Sequence, residues 1–404
     1  MAYKTLDKLS YREEDEYKKA FEERYNSPST IHIDFEVAKQ KCFVVQSPEV
    51  MGLMYDILRL DKKVAMLSSN LPGKAIQQYS RKCLIDEIVL TNNIEGVQSS
   101  RKEIGDALAV LEYQSERKGK KTRFLGMVNR YFKFMSNEKV RIETCQDIRD
   151  IYDEIVLEEV LQENPDHAPD GKIFRKYQAT LRTVTDRELH AGVTPEESII
   201  EHMNRALAFL NNENIELLYR ICIFHYLLEY IHPFYDGNGR LGRFIMSYGI
   251  LNCLEPILAF RISETIKENI NVYYRAFKTC NNVRNKGDLT PFLIMMLSMI
   301  KDSEEELAVS LQQKLDDWAM GMSKIKKKAE PETEKETRLY DVLLQAALFS
   351  ELGISREELQ SHMNLSAATL RKDLKAIEDK GLLESTRDGR RLYYRISMDK
   401  LNRL

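Results

Sequence analysis

Apolar residues recur at three- and four-residue spacing through most of this 404-residue chain, and few residues interrupt them: 17 glycines and 10 prolines in all. Glycine and proline are the strongest punctuators of local structure, so their scarcity favours long helices over a sheet built on many turns. The fold is therefore expected to be mainly α. With 43% hydrophobic and 30% charged residues the chain lies outside the disordered and fibrous classes, and its length suits two to four domains at roughly 100–200 residues each. A net charge of −3 gives no whole-chain attraction to nucleic acid or anionic lipid. The longest nearly uninterrupted apolar run, Phe292 to Ile300, is about half of the roughly 20 residues that cross a bilayer, so no membrane partner is expected. The N-terminal residues lack the apolar core of a secretory signal, and the cysteines at 42, 83, 145, 222, 253 and 280 show no C-x-x-C spacing. A cytoplasmic protein with buried, reduced cysteines is expected.

The pattern of breakers divides the chain into an N-terminal helical region (1–118), a second domain (119–300), a helix with a charged linker (301–336) and a C-terminal module (337–404). Leu84, Ile85, Ile88 and Ile94 predict an amphipathic helix over about 81–96, stopped near Gly96. Ser100 and Glu103 then form a capping-box pattern that opens another helix. Alternation in 178–185 predicts a short hairpin, and Thr194 followed by Pro195 predicts the N-cap and first position of the next helix. In the C-terminal module a helix (337–351), a second helix opened by Ser355 and Glu358, a third (367–380) closed by Gly381, and two strands around Asp388 and Gly389 give a winged-helix pattern, α+β in class.

The chemistry concentrates between His232 and Arg243. A Gly237, Asn238, Gly239 turn leads straight into an apolar-periodic helix, which presents open backbone N–H groups at a helix N-terminus, a ready anion site. Arg240 and Arg243 share one helical face and add two forked cations suited to phosphate. Asp236 can hold a magnesium ion bridging the same phosphates, since Mg²⁺ takes one or two carboxylates together with substrate oxygens. Histidine has an ordinary pKa of about 6.5, so His232 can accept the proton of an attacking hydroxyl. Phe234 is the apolar anchor of the loop. His225 lies seven residues before His232, but no third ligand accompanies the pair, so a metal site there is rejected.

His232, Phe234, Asp236, Gly237, Asn238, Gly239, Arg240 and Arg243 together match the pattern H-x-F-x-[D/E]-G-N-G-R-x-x-R at all its specified positions, and the chain resembles the Fic (Fic/DOC) family. The 273–277 and 287–292 segments downstream and the hairpin upstream resemble the family as well. The resemblance implies a Fic-type helical core with a small β-hairpin flap. It implies ATP as substrate with Mg²⁺, and transfer of AMP to a Ser, Thr or Tyr hydroxyl of a target protein with release of pyrophosphate. Catalysis would fall to His232, nucleotide binding to Gly237, Asn238, Gly239, Arg240 and Arg243, and metal binding to Asp236.

Thr91, Glu95 and Gly96 resemble the family's inhibitory motif [S/T]-x-x-x-E-[G/N]. Of the four glutamates followed by Gly or Asn (Glu95, Glu163, Glu213 and Glu268), Glu95 alone has Ser or Thr four residues earlier. The resemblance implies that Glu95 pairs with Arg243 and displaces the γ-phosphate, a carboxylate competing bidentately for a guanidinium. Removal of AMP, or use of another nucleotide donor, is the alternative within enzymology. The 175–185 hairpin resembles the family flap, on whose edge a target segment docks by main-chain pairing; Lys176 and Arg182 are its polar residues to watch. Self-modification and a homodimer are both compatible with the chain. From Arg338 to Leu404 twelve basic residues face ten acidic ones, so the tail is less basic than a dedicated DNA regulator, although Arg371, Lys372 and Lys375 on its third helix and Arg387, Arg390 and Arg391 on the wing could contact phosphates.

Overall fold

The computed structural model describes residues 3–11, 13–112, 122–135, 138–182, 188–388 and 391–403. It falls into two compact units, one made of Met1–Asp61 with Leu84–Glu304 and the other of Lys62–Cys83 with Glu305–Leu404. The units therefore differ from the linear division read from the sequence: each is closed by segments distant along the chain, which periodicity alone does not pair.

The first unit is helical around one central element. Helix Leu217–Ile231 is apolar on nearly every side, with twelve of its fifteen residues buried, the pattern of a helix enclosed by others. Helices Glu196–Leu210 and Asn238–Leu251 pack against it. Aromatic rings fill the gaps: Phe134 stacks on Phe244 at 5.0 Å, and Phe277 meets Phe292 edge-on at 4.7 Å. Helix Gly73–Ile94 begins earlier than its sequence pattern predicts and ends where Gly96 takes φ +78°, a left-handed backbone that glycine adopts without strain. The capping box at Ser100 forms as expected, Ser100 N donating to Glu103 and Glu103 N to the Ser100 hydroxyl.

Two sequence expectations are corrected here. The N-terminal region is not wholly helical: Thr30–Val37 and Gln40–Val45 form an antiparallel hairpin. Its turn is Ala38 and Lys39, both at positive φ, where a two-residue hairpin turn normally announces itself with Asn-Gly or Asp-Gly. Thr194 does not cap the following helix, which starts at Glu196 with Pro195 at the N-cap position; the Thr194 hydroxyl donates instead to the Lys176 carbonyl. The predicted flap hairpin is formed by Thr180–Arg182 and Glu188–Ala191, and its turn, with Thr183, Val184 and Thr185, lies outside the described residues.

In the second unit helix Glu334–Phe349, strand Ile354–Ser355, helices Arg356–Met363 and Ala367–Asp379, and the antiparallel strands Leu383–Asp388 and Arg391–Ile396 follow in order. The short first strand pairs with the last. Ser355 and Glu358 form their capping box, and Gly381 takes φ +72°. The charged stretch around Lys324 is not a loose linker: helix Thr290–Lys324 runs into a π turn, Ile325–Ala329, and Ile325 and Ala329 are buried in the same core as Leu343, Leu359 and Leu374. Two apolar residues among lysines suffice to fasten it. Arg390 lies outside the described residues. No described helix is long and apolar enough to cross a membrane.

Candidate active site

The site forms where helix Leu217–Ile231 stops and helix Asn238–Leu251 starts. His232 terminates the first in the left-handed region, φ 53°, and Gly237 precedes the second at φ +81°. Between them Phe234 is fully buried and stacks on Tyr152, ring centroids 3.6 Å apart and 6° from parallel; it is the anchor predicted for it. The Asn238 side chain closes the loop on itself, accepting from Phe234 N at 3.0 Å and donating to Phe234 O at 2.9 Å. Its amide is therefore committed to loop shape, and what Asn238 can offer an anion is its backbone N–H. Gly237 needs both its backbone conformation and its size, since a Cβ there would meet Val156 at 2.8 Å.

Arg175, which sequence reading placed merely at the start of the hairpin, ties this loop to the flap. Its buried guanidinium donates to the carbonyls of His232 at 2.8 Å, Val193 at 2.8 Å, and Tyr177. Burial pulls its pKa down to about 10. Tyr152 adds a further brace, its hydroxyl donating to Asp236 O at 3.2 Å.

The two arginines differ. Arg243 is buried and engaged through two of its nitrogens: Nε donates to Thr91 Oγ1 at 2.7 Å, and Nη2 donates to Thr91 O at 3.1 Å and to Glu95 Oε1 at 2.6 Å. Burial opposes its charge, but Glu95 foremost, then Tyr273 and Glu229, hold the guanidinium protonated with its pKa raised. The Thr91, Glu95 and Arg243 contacts anticipated from the sequence are thus present, and Gly96 ends the helix that delivers them. Arg240 is equally buried, yet none of its three guanidinium nitrogens has a hydrogen-bond partner among the described residues. The Asp236 carboxylate stands 3.9 Å from its Nη2 and accepts from Gly237 N. A buried, unsatisfied guanidinium costs several kcal/mol, and a multiply charged anion is what would satisfy it.

Glu95, Glu229, His232, Asp236 and Arg243 line a cavity of about 150 Å³. That is below the roughly 300–1,000 Å³ of small-molecule sites, and the Glu95 carboxylate stands in the space between Arg243 and Gly239, where a Cβ on Gly239 would meet Glu95 Oε1 at 2.2 Å. No group of three or more side chains placed to hold a metal occurs among the described residues, so Asp236 would be the protein's one ligand. A metal that takes few protein ligands and completes its shell with substrate oxygens fits such a donor set.

Glu229 was not anticipated. It is buried, one Oε is without a hydrogen bond among the described residues, and the other lies 3.9 Å from His232 Nδ1. Burial, then the nearby Glu95 carboxylate, push its pKa up to about 8. Its signal in the sequence was a lone acid inside the apolar stretch LLYRICIFHYLLEYI. His225 is a core residue held through one ring nitrogen: its Nε2 lies 2.7 Å from the Tyr273 hydroxyl, and burial, helped by Arg243, drives its pKa down to about 3.

The Fic/DOC family model matches residues 143–249. The protein adenylyltransferase Fic of Nematostella vectensis is 31% identical over 121 residues, covering 29% of this chain and 25% of that protein. The protein adenylyltransferase fic-1 of Caenorhabditis elegans is 29% identical over 163 residues, 38% of this chain and 29% of that one. The chain thus spans between a quarter and a third of the length of these relatives. The crystal structure of a Fic family protein from Desulfovibrio desulfuricans aligns with 87% of this chain and 97% of its own, at TM-score 0.50 and 22% identity, which shows a shared fold.

Proposed function

We propose that this chain, which carries a Fic/DOC domain at residues 143–249, is a protein adenylyltransferase held in check by Glu95. The observation that carries the reading is Arg240, a buried guanidinium with no hydrogen-bond partner among the described residues, set near a helix N-terminus with the Asp236 carboxylate 3.9 Å away. Phosphates of ATP would take the N–H groups of Gly239 and Arg240 together with the Arg240 fork, and Asp236 would hold Mg²⁺. The ion would neutralise charge on the phosphates. The hydroxyl oxygen of a target side chain attacks the α-phosphorus, the bond to the β-phosphate bridging oxygen breaks, and pyrophosphate leaves. The hydroxyl proton goes to His232. Positioning and charge neutralisation supply most of the rate in such transfers.

Glu95 restrains this reaction by occupying Arg243, the second cation that a triphosphate needs. The target segment docks by main-chain pairing on the free edge of the Thr180–Arg182 strand, presenting its hydroxyl to His232. The pair Arg240 and Arg243 on one helix face, more than a monophosphate requires, is what recommends transfer over AMP removal as the main reaction.

The test is the origin of the transferred group. Glu95→Gly protein is incubated with Mg²⁺, a cell lysate and ATP labelled at either the α- or the γ-phosphate. Label from the α position and none from the γ position is expected in protein bands; γ-label transfer would make the chain a kinase instead, and no label from either would refute ATP as donor.

A further inference from the structure

The buried carboxyl of Glu229 has no place in the chemistry described so far, and its position invites one. It sits one turn before His232 on the same helix, its Oε2 3.9 Å from His232 Nδ1, on the ring nitrogen opposite the one that would face substrate. The helix leaves room for it by design: a Cβ at Gly242 would meet Glu229 Oε1 at 2.9 Å and His225 Nδ1 at 2.8 Å. Such a separation lies just outside hydrogen-bond reach, as catalytic contacts often do before substrate binds.

We propose, resting on the transferase reading, that Glu229 is the positioning residue for His232, its carboxylate accepting the imidazole Nδ1–H so that Nε2 keeps the lone pair that removes the target proton. A second ring nitrogen oriented by an acid is how histidine bases are commonly set. When Glu229 carries a proton its carboxylic acid donates to Nδ1 instead, the ring proton moves to Nε2, and the base is lost. The tautomer of His232 then reports the protonation of Glu229.

Glu95 enters this balance a second time. The charged and titratable groups around Glu229 are Glu95, at the end of helix Gly73–Ile94, and Arg243 on helix Asn238–Leu251. Tyr273 and Tyr274 on helix Ile270–Cys280, His225 and His232 around its own helix, and Tyr235 and Asp236 on the same cavity are the others among the described residues. Burial foremost raises the Glu229 pKa, Glu95 raises it further, and Arg243 lowers it. With Glu95 seated, Glu229 titrates at about 8, so at neutral pH it holds its proton and His232 has the wrong tautomer. Withdrawal of Glu95 removes a like charge and moves the Glu229 pKa down, so the base is set at a lower pH as Arg243 is freed, while burial still opposes ionisation. One glutamate thus blocks both the donor phosphates and the general base.

Two measurements test this. The first needs no turnover: imidazole nitrogen chemical shifts of His232, assigned by their loss in His232→Ala, are followed from about pH 6 to pH 9 in wild type, Glu95→Gly and Glu229→Gln. The Nδ1–H tautomer is expected to grow as pH rises through about 8 in wild type, to grow at a lower pH in Glu95→Gly, and to show no such step in Glu229→Gln. A step unchanged by Glu229→Gln, or unmoved by Glu95→Gly, overturns the proposal. The second uses Glu95→Gly as the active background: adding Glu229→Gln should lower kcat about 10- to 100-fold, a fraction of the 10²–10⁴ that a positioned base supplies, with KM for ATP within about twofold. Glu229→Asp should recover part of it. A fall in kcat matched by loss of the folded state on heating, or no fall at all, overturns the role. If Glu95→Gly itself transfers no AMP, it is the transferase reading that fails, while the tautomer titration still decides the Glu229 claim.

Discussion

Replacing Glu95 by Gly should tighten ATP binding by an amount the structure allows to be worked out. Arg243 makes three hydrogen bonds, two to Thr91 and one to Glu95, and only the last involves a competing anion. A hydrogen bond between charged groups contributes about 1.5–3 kcal/mol. The Glu95 side chain keeps 26% of its surface exposed against 1% for Arg243, so solvent screens it and the lower part of that range, about 1.5–2 kcal/mol, applies. At 1.4 kcal/mol per tenfold, ATP should bind about 10- to 30-fold more tightly to Glu95→Gly. The substitution adds little backbone cost, because Glu95 lies beyond the last helical residue, Ile94. Glu95→Gln, which keeps the shape and loses the charge, should fall between. Calorimetric titration with ATP and Mg²⁺, in a His232→Ala background to prevent turnover, reads these constants directly. An ATP Kd in Glu95→Gly equal to that of the parent would refute the competition.

Arg240→Met removes a buried cation whose nitrogens have no hydrogen-bond partners among the described residues, so the protein without nucleotide should melt at a higher temperature than wild type while ATP no longer stabilises it; a lower melting temperature would show that the Asp236 carboxylate 3.9 Å away satisfies the charge. Gly242→Ala drives a methyl to within 2.8 Å of His225 and 2.9 Å of Glu229 and should destabilise by about 1–3 kcal/mol, as overpacking does, measured by denaturant unfolding. Duplex DNA should bind the full chain weakly: among the described residues the exposed bases Arg371, Lys372, Lys375 and Arg387 offer about four phosphate contacts, so the logarithm of affinity should fall with that of salt at a slope no steeper than about −4, and a steeper slope in electrophoretic shifts would reveal a larger interface.

How much could be read beforehand depended on distance along the chain. The helix-opening boxes at Ser100 and Ser355 involve partners three residues apart, and the nucleotide loop packs its chemistry into the span from His232 to Arg243, so both were legible. The Thr91, Glu95 and Arg243 contact joins positions about 150 residues apart, and it was anticipated through family resemblance rather than spacing. Arg175 reaches the His232 carbonyl from 57 residues away, and nothing in its neighbourhood marks it. Glu229 looked like an interruption of an apolar helix until burial and its approach to His232 gave it a setting. The N-terminal hairpin was hidden because Ala38 and Lys39 adopt positive φ without the residues that usually advertise it. The charged segment after Lys324 was misjudged because charge count outweighed two buried apolar side chains, Ile325 and Ala329.

The central claim, that His232 drives transfer of AMP and Glu95 restrains it, is met most directly by one labelling experiment. Wild type, Glu95→Gly and His232→Ala are incubated with Mg²⁺, a cell lysate and ATP labelled at the α-phosphate, and labelled protein is resolved. Strong label with Glu95→Gly, weak label with wild type and none with His232→Ala is the predicted result. Equal labelling by wild type and Glu95→Gly, or undiminished labelling by His232→Ala, would contradict it.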